Sequence, residues 1–416
     1  MAATKKKKRA ITLAGGGPAA GLHLGALFRL EEEPSIEFDV WALSCIGAWV
    51  GIVYHSRKKP IVPFTFSNEL QSYKFNTPVK DRESSSKALD AYKIFHENVF
   101  RDDASYQWFP INRAFAPSYL GFGKAWASFG IDRSKEWGNF FQPMEIFAAG
   151  LRSLQYLTDP TRWFKESEFN LWLLNDVLAV HPASRYLTSL SYLSQINGLS
   201  RIYYPESGFL DKINIPSLAA AAPDIYHNAW RFAPDGKGEL QIFHNHPEKD
   251  YCRKQSYMGI TPASLCACSA LPYVEETVRI QGKGSEEYDE YCEGALVDTV
   301  NFKDLLRDHA ELDEIWVNRI VDVSQVKQPK NIADGLANLA MLFAAEVGSN
   351  DIKLFRQHLL NQPNLKTRLV EIKINTETKV TFEWNHKNLD TAFCEGYEAV
   401  DRLLKSDGSL LSPIRS

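Results

Sequence analysis

The sequence predicts an α/β protein: a three-layer α/β/α fold with a mostly parallel sheet and a large helical insert. Three observations carry this. Residues 9–14, RAITLA, are apolar over the length of a strand and run through Gly15-Gly16-Gly17 into a helical pattern. A second apolar run, FDVWAL at 38–43, is followed at once by another helical segment. Strand, helix, strand and helix in this order require crossovers and a parallel sheet covered on both faces. The third observation is that this texture stops near residue 60 and returns after about 215.

In the first helix, from Pro18 to about Glu33, Leu22, Ala26, Leu27 and Leu30 recur at helical spacing, and proline suits a first turn because its missing N–H would be unpaired there. The second helix begins at Ile46 and runs to about Tyr54. Residues 60–215 hold Trp108, Trp126, Trp137, Trp163 and Trp172 among many Phe and Tyr, and MEIFAAGLRSLQYL and SEFNLWLLNDVLAV read as amphipathic helices. This is the expected helical, aromatic-rich insert within one domain spanning 1–416. It would be a subdomain with its own core, or a lid over an acyl chain or a membrane surface. The alternative is two domains with a boundary near 210. Beyond the insert, IYHNAWRF and GELQIFHNH read as paired strands, TPASLCACSALP as a short helix ended by proline, and EIWVNRIVDV (314–323) as a strand. A helix capped by Asn331 follows, with Ile332, Leu336, Leu339, Phe343 and Val347 on one face. RLVEIKI and KVTFEW suggest a hairpin before a last helix at 390–404.

Composition narrows the function. A chain of 416 residues, 44% apolar and 24% charged, has the make-up of a globular protein with an ample core, and its net charge of −4 argues against a nucleic-acid partner. The basic run Lys5–Arg9 reads as a solvated terminal stretch. With the apolar residues after it the run imitates a signal peptide, but three glycines and a proline would interrupt the helix a signal needs. A cytoplasmic location is therefore expected, with peripheral membrane contact left open. Six scattered cysteines suggest no disulfide scaffold, Cys266-Ala-Cys268 lacks zinc spacing, and His244-Asn-His246 has no matching carboxylate motif. No metal and no cofactor are expected.

The chemistry concentrates in two stretches. Gly15, Gly16 and Gly17 between a strand and a helix let backbone N–H groups converge, as needed for a phosphate or for the oxyanion of a tetrahedral intermediate. The P-loop ending G-K-[ST] is missing, and the dinucleotide pattern fails at Ala20. In WALSCIGAWVG, residues 41–51, a G-x-S-x-G elbow set on Gly47 puts the nucleophile at Cys45, followed by Ile46. Only one side chain can point up from such a turn, so the frame chooses Cys45 over Ser44.

Taken together, LAGGGPAAGLHLGAL, SCIGAWVG and TPASLCACSALPYVEE…YCEGALVDTVNF resemble the patatin-like phospholipase family in order and spacing, over about 1–60 and 220–330. The resemblance implies a Ser–Asp dyad without histidine, an oxyanion loop at Gly15, Gly16 and Gly17, the nucleophile position at Cys45, and the dyad acid at Glu293 of EGA. The departures are Cys for Ser, Glu for Asp, Leu43 for the elbow's first glycine, and Ala19 and Ala20 for the loop's usual basic residue and the glycine after it. Both dyad replacements keep their chemical class, which favours a retuned Cys–Glu pair over decay, and a thiol needs only a modest base. The expected function is a lipid acyl hydrolase acting on apolar acyl esters. The alternatives are an acyltransferase passing on the Cys-bound acyl group and a catalytically silent lipid-binding protein. A Cys–His arrangement using His23 is the remaining catalytic alternative; nothing in the sequence places His244 or His246 near Cys45.

Overall fold

In the computed structural model, strand β1 (Arg9–Leu13) lies between β2 (Val40–Leu43) and a much later strand, and all three run parallel. The structure describes residues 6–58, 64–100, 143–160, 169, 172–173, 198–200, 209–232, 238–282, 286–302, 304–326, 328–329, 332–362, 365–374 and 383–411. The chain divides into two compact units, 1–109 with 200–416, and 110–199.

The first unit holds the sheet. Its further strands are β3 (Asp224–Phe232), β4 (Gly238–His244), β5 (Met258–Gly259), β6 (Val278–Gln281), β7 (Tyr288–Glu293), β8 (Glu314–Asn318) and β9 (Arg368–Ile372). The order is β9-β8-β1-β2-β3-β4-β5, with β7 also on β3 and β6 on β7. Pairs β9·β8, β8·β1, β1·β2, β2·β3 and β4·β5 are parallel, while β3·β4, β3·β7 and β6·β7 are antiparallel. Every residue of β1, β2 and β8 is buried, as a sheet covered on both faces demands. Alternation sorts them: Ile11, Leu13, Trp41 and Leu43 join one core, and Ala10, Val40, Ala42, Ile315 and Val317 join another.

Helices α1 (Ala20–Leu30), α2 (Ile46–Ser56) and α3 (Lys87–Asn98) belong to the first core, with α4 (Pro262–Cys268) and α6 (His386–Ser406); α5 (Ile332–Asn361) sends Ile352 and Phe355 into the second. This is the expected α/β architecture. All eleven residues of α1 are buried. At Gly25 a Cβ would lie 1.8 Å from the Phe393 carbonyl oxygen of α6, so only glycine lets these two backbones meet. Within the segment read as an insert, Leu89, Tyr92 and Phe95 of α3 enter the same core as α1.

Several sequence readings are revised. Of the basic run, Lys6 and Lys8 are exposed as expected, but Lys7 is half-buried and Arg9 buried. They converge on Glu314, Lys7 Nζ donating to Oε1 at 2.7 Å and Arg9 Nε to Oε2 at 2.8 Å, with Arg9 and Glu314 directly opposite in register. The residues opening the protein therefore tie β1 to β8. Residues 368–372 form strand β9, parallel to β8, and most of the other arm of the expected hairpin, 379–384, lies outside the described residues. The 314–323 strand stops at Asn318. The last helix is longer than 390–404 and is capped by Asn385, whose side chain accepts from Asn388 N–H. The Asn331 cap falls outside the described residues.

In the second unit a helix spans Pro143–Thr158, where Tyr156 stacks on Trp172 at 4.8 Å and Trp172 Nε1 donates to Ser153 Oγ. Most of SEFNLWLLNDVLAV lies outside the described residues. Among those described, no helix is long and apolar enough to cross a membrane.

Burial alone would raise the Glu314 carboxyl, but hydrogen bonds from Lys7 and Arg9 outweigh it and hold it below its ordinary value. Glu314→Ala should cost about 3–5 kcal/mol in urea unfolding, because it strands a buried guanidinium. The wild-type margin over the variant should shrink as the pH falls through the lowered Glu314 value, where the carboxylate takes up a proton.

Candidate active site

Cys45 stands between β2 and α2 with φ 48° and ψ −124°. Positive φ is costly for a side chain with a Cβ, so the surrounding structure must hold it. Ser44 N–H donates to Leu13 O at 3.0 Å, Asn301 Nδ2 donates to Leu43 O at 3.1 Å, and Ser44 Oγ donates to Asn228 Oδ1 at 3.0 Å. Ser44 is wholly buried and points down into this brace, while Cys45 is 9% exposed. The elbow thus separates the two adjacent side chains. Gly47 passes directly over β1: a Cβ there would lie 2.1 Å from Leu13 O. Leu43, where the family has a glycine, finds its room beside another glycine, since a Cβ on Gly51 would meet its Cδ1 at 2.7 Å.

Strand register explains how residue 293 reaches residue 45. Along β3, one edge carries β4; the other carries β2 opposite 224–227 and β7 opposite 229–232. β2 runs parallel to β3 and β7 antiparallel, so their carboxyl ends meet head to head, Leu43 opposite His227 and Glu293 opposite Ala229. Only Asn228 separates the two rows, a spacing of about 7 Å along the strand. Its amide closes the junction, with Oδ1 accepting from Ser44 and Nδ2 donating to Asp298 O at 2.8 Å.

At that junction the Cys45 thiol and the Glu293 carboxyl come close enough for each to shift the other's proton affinity. Burial, and then the charge of Glu293, push the thiol well above its ordinary value. Burial raises the Glu293 carboxyl to about 7, against a smaller lowering by Cys45. The Ile46 N–H, at the start of α2, acts in the opposite direction and lowers the thiol. Gly15 is the neighbour on the other side: a Cβ on it would be 3.2 Å from Cys45 Cβ. Among the described residues nothing accepts from the N–H groups of Gly15, Gly16 or Gly17, and Gly17 has φ 51°. Free backbone donors beside a nucleophile position can stabilise developing negative charge.

The histidines are occupied elsewhere. His23 Nε2–H donates to Ala14 O at 2.9 Å, just before the glycine loop, and burial lowers the ring to about 4, so it stays neutral. His227 Nε2 meets Ser264 Oγ at 3.0 Å. His244 Nδ1 accepts from His246 N–H at 2.8 Å, and its Nε2 meets Tyr251 OH at 3.0 Å. None of these is among the groups acting on Cys45.

Sequence reasoning missed Asn228, Asn301 and Glu275. The signal for Asn228 was a polar pair, His227-Asn228, flanked by Ile225-Tyr226 and Ala229-Trp230 inside a strand. Glu275 has a buried Oε2 without a partner among the described residues, and burial together with the charge of Glu293 raises its carboxyl to about 8. Cys268, whose Sγ lies 3.8 Å from Cys45 O, completes the surroundings.

A family model for patatin-like phospholipases matches residues 11–306. The chain belongs to the patatin-like phospholipase family, a family of enzymes acting on lipids. Among solved structures it is similar to VipD from Legionella pneumophila, at 12% identity and a TM-score of 0.32, over 97% of this chain and 67% of that one. A TM-score at that level carries no weight for the site. No curated protein matches the chain.

Gly47→Ala should fail to fold or lose several kcal/mol, since a backbone carbonyl cannot move aside. Ser44→Ala should cost about 1–3 kcal/mol of stability by leaving Asn228 Oδ1 unsatisfied, yet keep Cys45 accessible to a small thiol reagent. Melting temperatures and alkylation followed by mass spectrometry would check both.

Proposed function

We propose that this protein is a lipid acyl hydrolase acting on apolar acyl esters through Cys45 and Glu293, with the N–H groups of Gly15, Gly16 and Gly17 holding the oxyanion and Ile46–Gly47 forming the elbow behind the nucleophile. The observation that carries the reading is the Cys45 thiol, held at positive φ, on the Glu293 carboxylate and beside the free donors of the glycine loop. Burial keeps the resting sulfur protonated, so a free thiolate is not the attacking species. The Cys45 proton instead passes to the Glu293 carboxylate as the sulfur bonds the acyl carbon. Negative charge then grows on the carbonyl oxygen, where the loop donors and the amino end of α2 face it. Collapse expels the alcohol, which takes the proton back from Glu293. Water, activated by the same carboxylate, then cleaves the thioester.

With Glu293 as base, kcat/KM should rise with pH through about 7, where its carboxyl ionises. Glu293→Gln should abolish that limb and leave residual activity that climbs only where the thiol itself titrates. The same change should raise the melting temperature at pH 8. A carboxyl pushed up by burial costs stability as the pH climbs from its unfolded value near 4.5 through about 7, so its removal should return about 1–3 kcal/mol above that window. Cys45→Ala should lose activity by about 10³-fold or more. Cys45→Ser should be severely impaired, because a hydroxyl asks more of the base. Covalent acylation by an activated ester, located by mass spectrometry, is the direct test: full turnover by Cys45→Ala would overturn the assignment. An added alcohol acceptor would tell hydrolysis from acyl transfer by the product formed.

A further inference from the structure

A second carboxyl, Glu275, reaches the buried end of β7. β6 begins at Val278 opposite Tyr291, so the residues just before β6 run past the end of β7 at Glu293. The backbone fixes the approach: Glu293 N–H donates to Ala270 O at 2.9 Å, and Glu275 N–H donates to Leu271 O at 2.8 Å. The turn 270–275 is thereby closed on the residue that meets Cys45. Within it Glu275 Oε2 is buried without a hydrogen-bond partner among the described residues. A buried carboxyl oxygen left without a partner is costly to charge, so the group favours its protonated form.

The surroundings decide which of the two carboxyls keeps a proton longer. Around Glu275 lie Glu293 and the thiols of Cys266 and Cys268 on α4, whose proton affinities the charge of Glu275 raises. No lysine, arginine or histidine among the described residues acts on it. Glu293 differs in one respect: the Cys45 thiol favours its charged form. The pair therefore loses its protons in two steps, Glu293 at about 7 and Glu275 at about 8. Between the steps Glu293 is charged and Glu275 neutral. Beyond them a second charge stands beside Glu293 and makes that carboxylate bind a proton more strongly.

We propose that Glu275 is a positioning residue for the Cys45–Glu293 pair, a second carboxyl that acts on Glu293 rather than on substrate and sets how strongly Glu293 draws the thiol proton. Its effect on rate rests on the acyl-hydrolase reading; its account of where the protons lie does not. Protonated, Glu275 leaves Glu293 a modest base. Ionised, it disfavours negative charge on Glu293, and transfer of the Cys45 proton relieves that repulsion as charge moves to the acyl oxygen. The transferred proton never visits Glu275.

The pH dependence of Cys45 acylation by a neutral activated ester, measured on the full chain, tests this. The wild-type rate should rise in two steps, through about 7 and again, several-fold, through about 8. Glu275→Gln, which keeps the shape of a protonated carboxyl, should retain the first step and lose the second, and Glu275→Asp should retain both. A carboxyl with a purely structural role would change the rate by one factor at every pH. That outcome, or a second step surviving in Glu275→Gln, would overturn the proposal. Carboxyl NMR of protein carrying isotope-labelled glutamate reads the protons directly. The resonance missing from Glu275→Gln belongs to Glu275; it should titrate after that of Glu293 and move to lower pH in Glu293→Gln, where the neighbouring charge is gone. Titration of Glu275 before Glu293, or a Glu275 midpoint unmoved by Glu293→Gln, would also overturn it. Absence of Cys45 acylation with the NMR titrations as expected sinks the hydrolase reading and leaves the carboxyl pair standing.

Discussion

Two strands ending head to head on one edge of a third are what the candidate site is built on. β2 and β7 both stop against β3, one from each direction, and Asn228 sits between them. A continuous partner along that edge would have spent its hydrogen bonds on ladder pairing and left no gap. Because both strands end there, two chain turns more than two hundred residues apart deliver a thiol and a carboxylate to one point. The elbow's strained backbone, the burial of Glu293 and the buried brace of Ser44, Asn228 and Asn301 all follow from closing that junction.

Such closure has an electrostatic cost. The charge of Glu293 disfavours that of Glu275, and burial raises both carboxyls. A carboxyl raised to about 7 is a stronger proton acceptor than an ordinary one, and a hydroxyl asks more of such a base than a thiol does. A cysteine changes the balance, because the proton has a shorter energetic distance to travel. The paired replacement of serine by cysteine and aspartate by glutamate is coherent on this ground.

The glycine loop depends on the same sheet from the other side. β1 supplies Leu13 O to Ser44 N–H, and Ala14 O, one residue before the loop, is held by the buried, neutral His23. The ion cluster of Lys7, Arg9 and Glu314 pins the opposite end of β1 to β8. β1 is thus fixed at both ends, and with it the free N–H groups next to Cys45.

Much of this was legible without coordinates. Local patterns are written in adjacent residues, so the first two strands, the glycine loop and the turn at Cys45 before Gly47 could be read from spacing alone. The position of Glu293 could be read only through the family motif, because nothing local ties EGA to an elbow two hundred and fifty residues earlier. Tertiary structure decided the rest. It drew Lys7 and Arg9 out of a basic terminal run into a buried ion cluster, because Glu314 lies opposite Arg9 in a parallel register no one-dimensional pattern encodes. It paired Arg368–Ile372 in parallel with β8, since local alternation does not say which strand will be the neighbour. It also raised the Glu293 carboxyl, an effect of burial that depends on which distant segments cover the group. Sequence determines which chemistry a residue can perform; the register of strands remote along the chain determines which residues meet and in how dry a place.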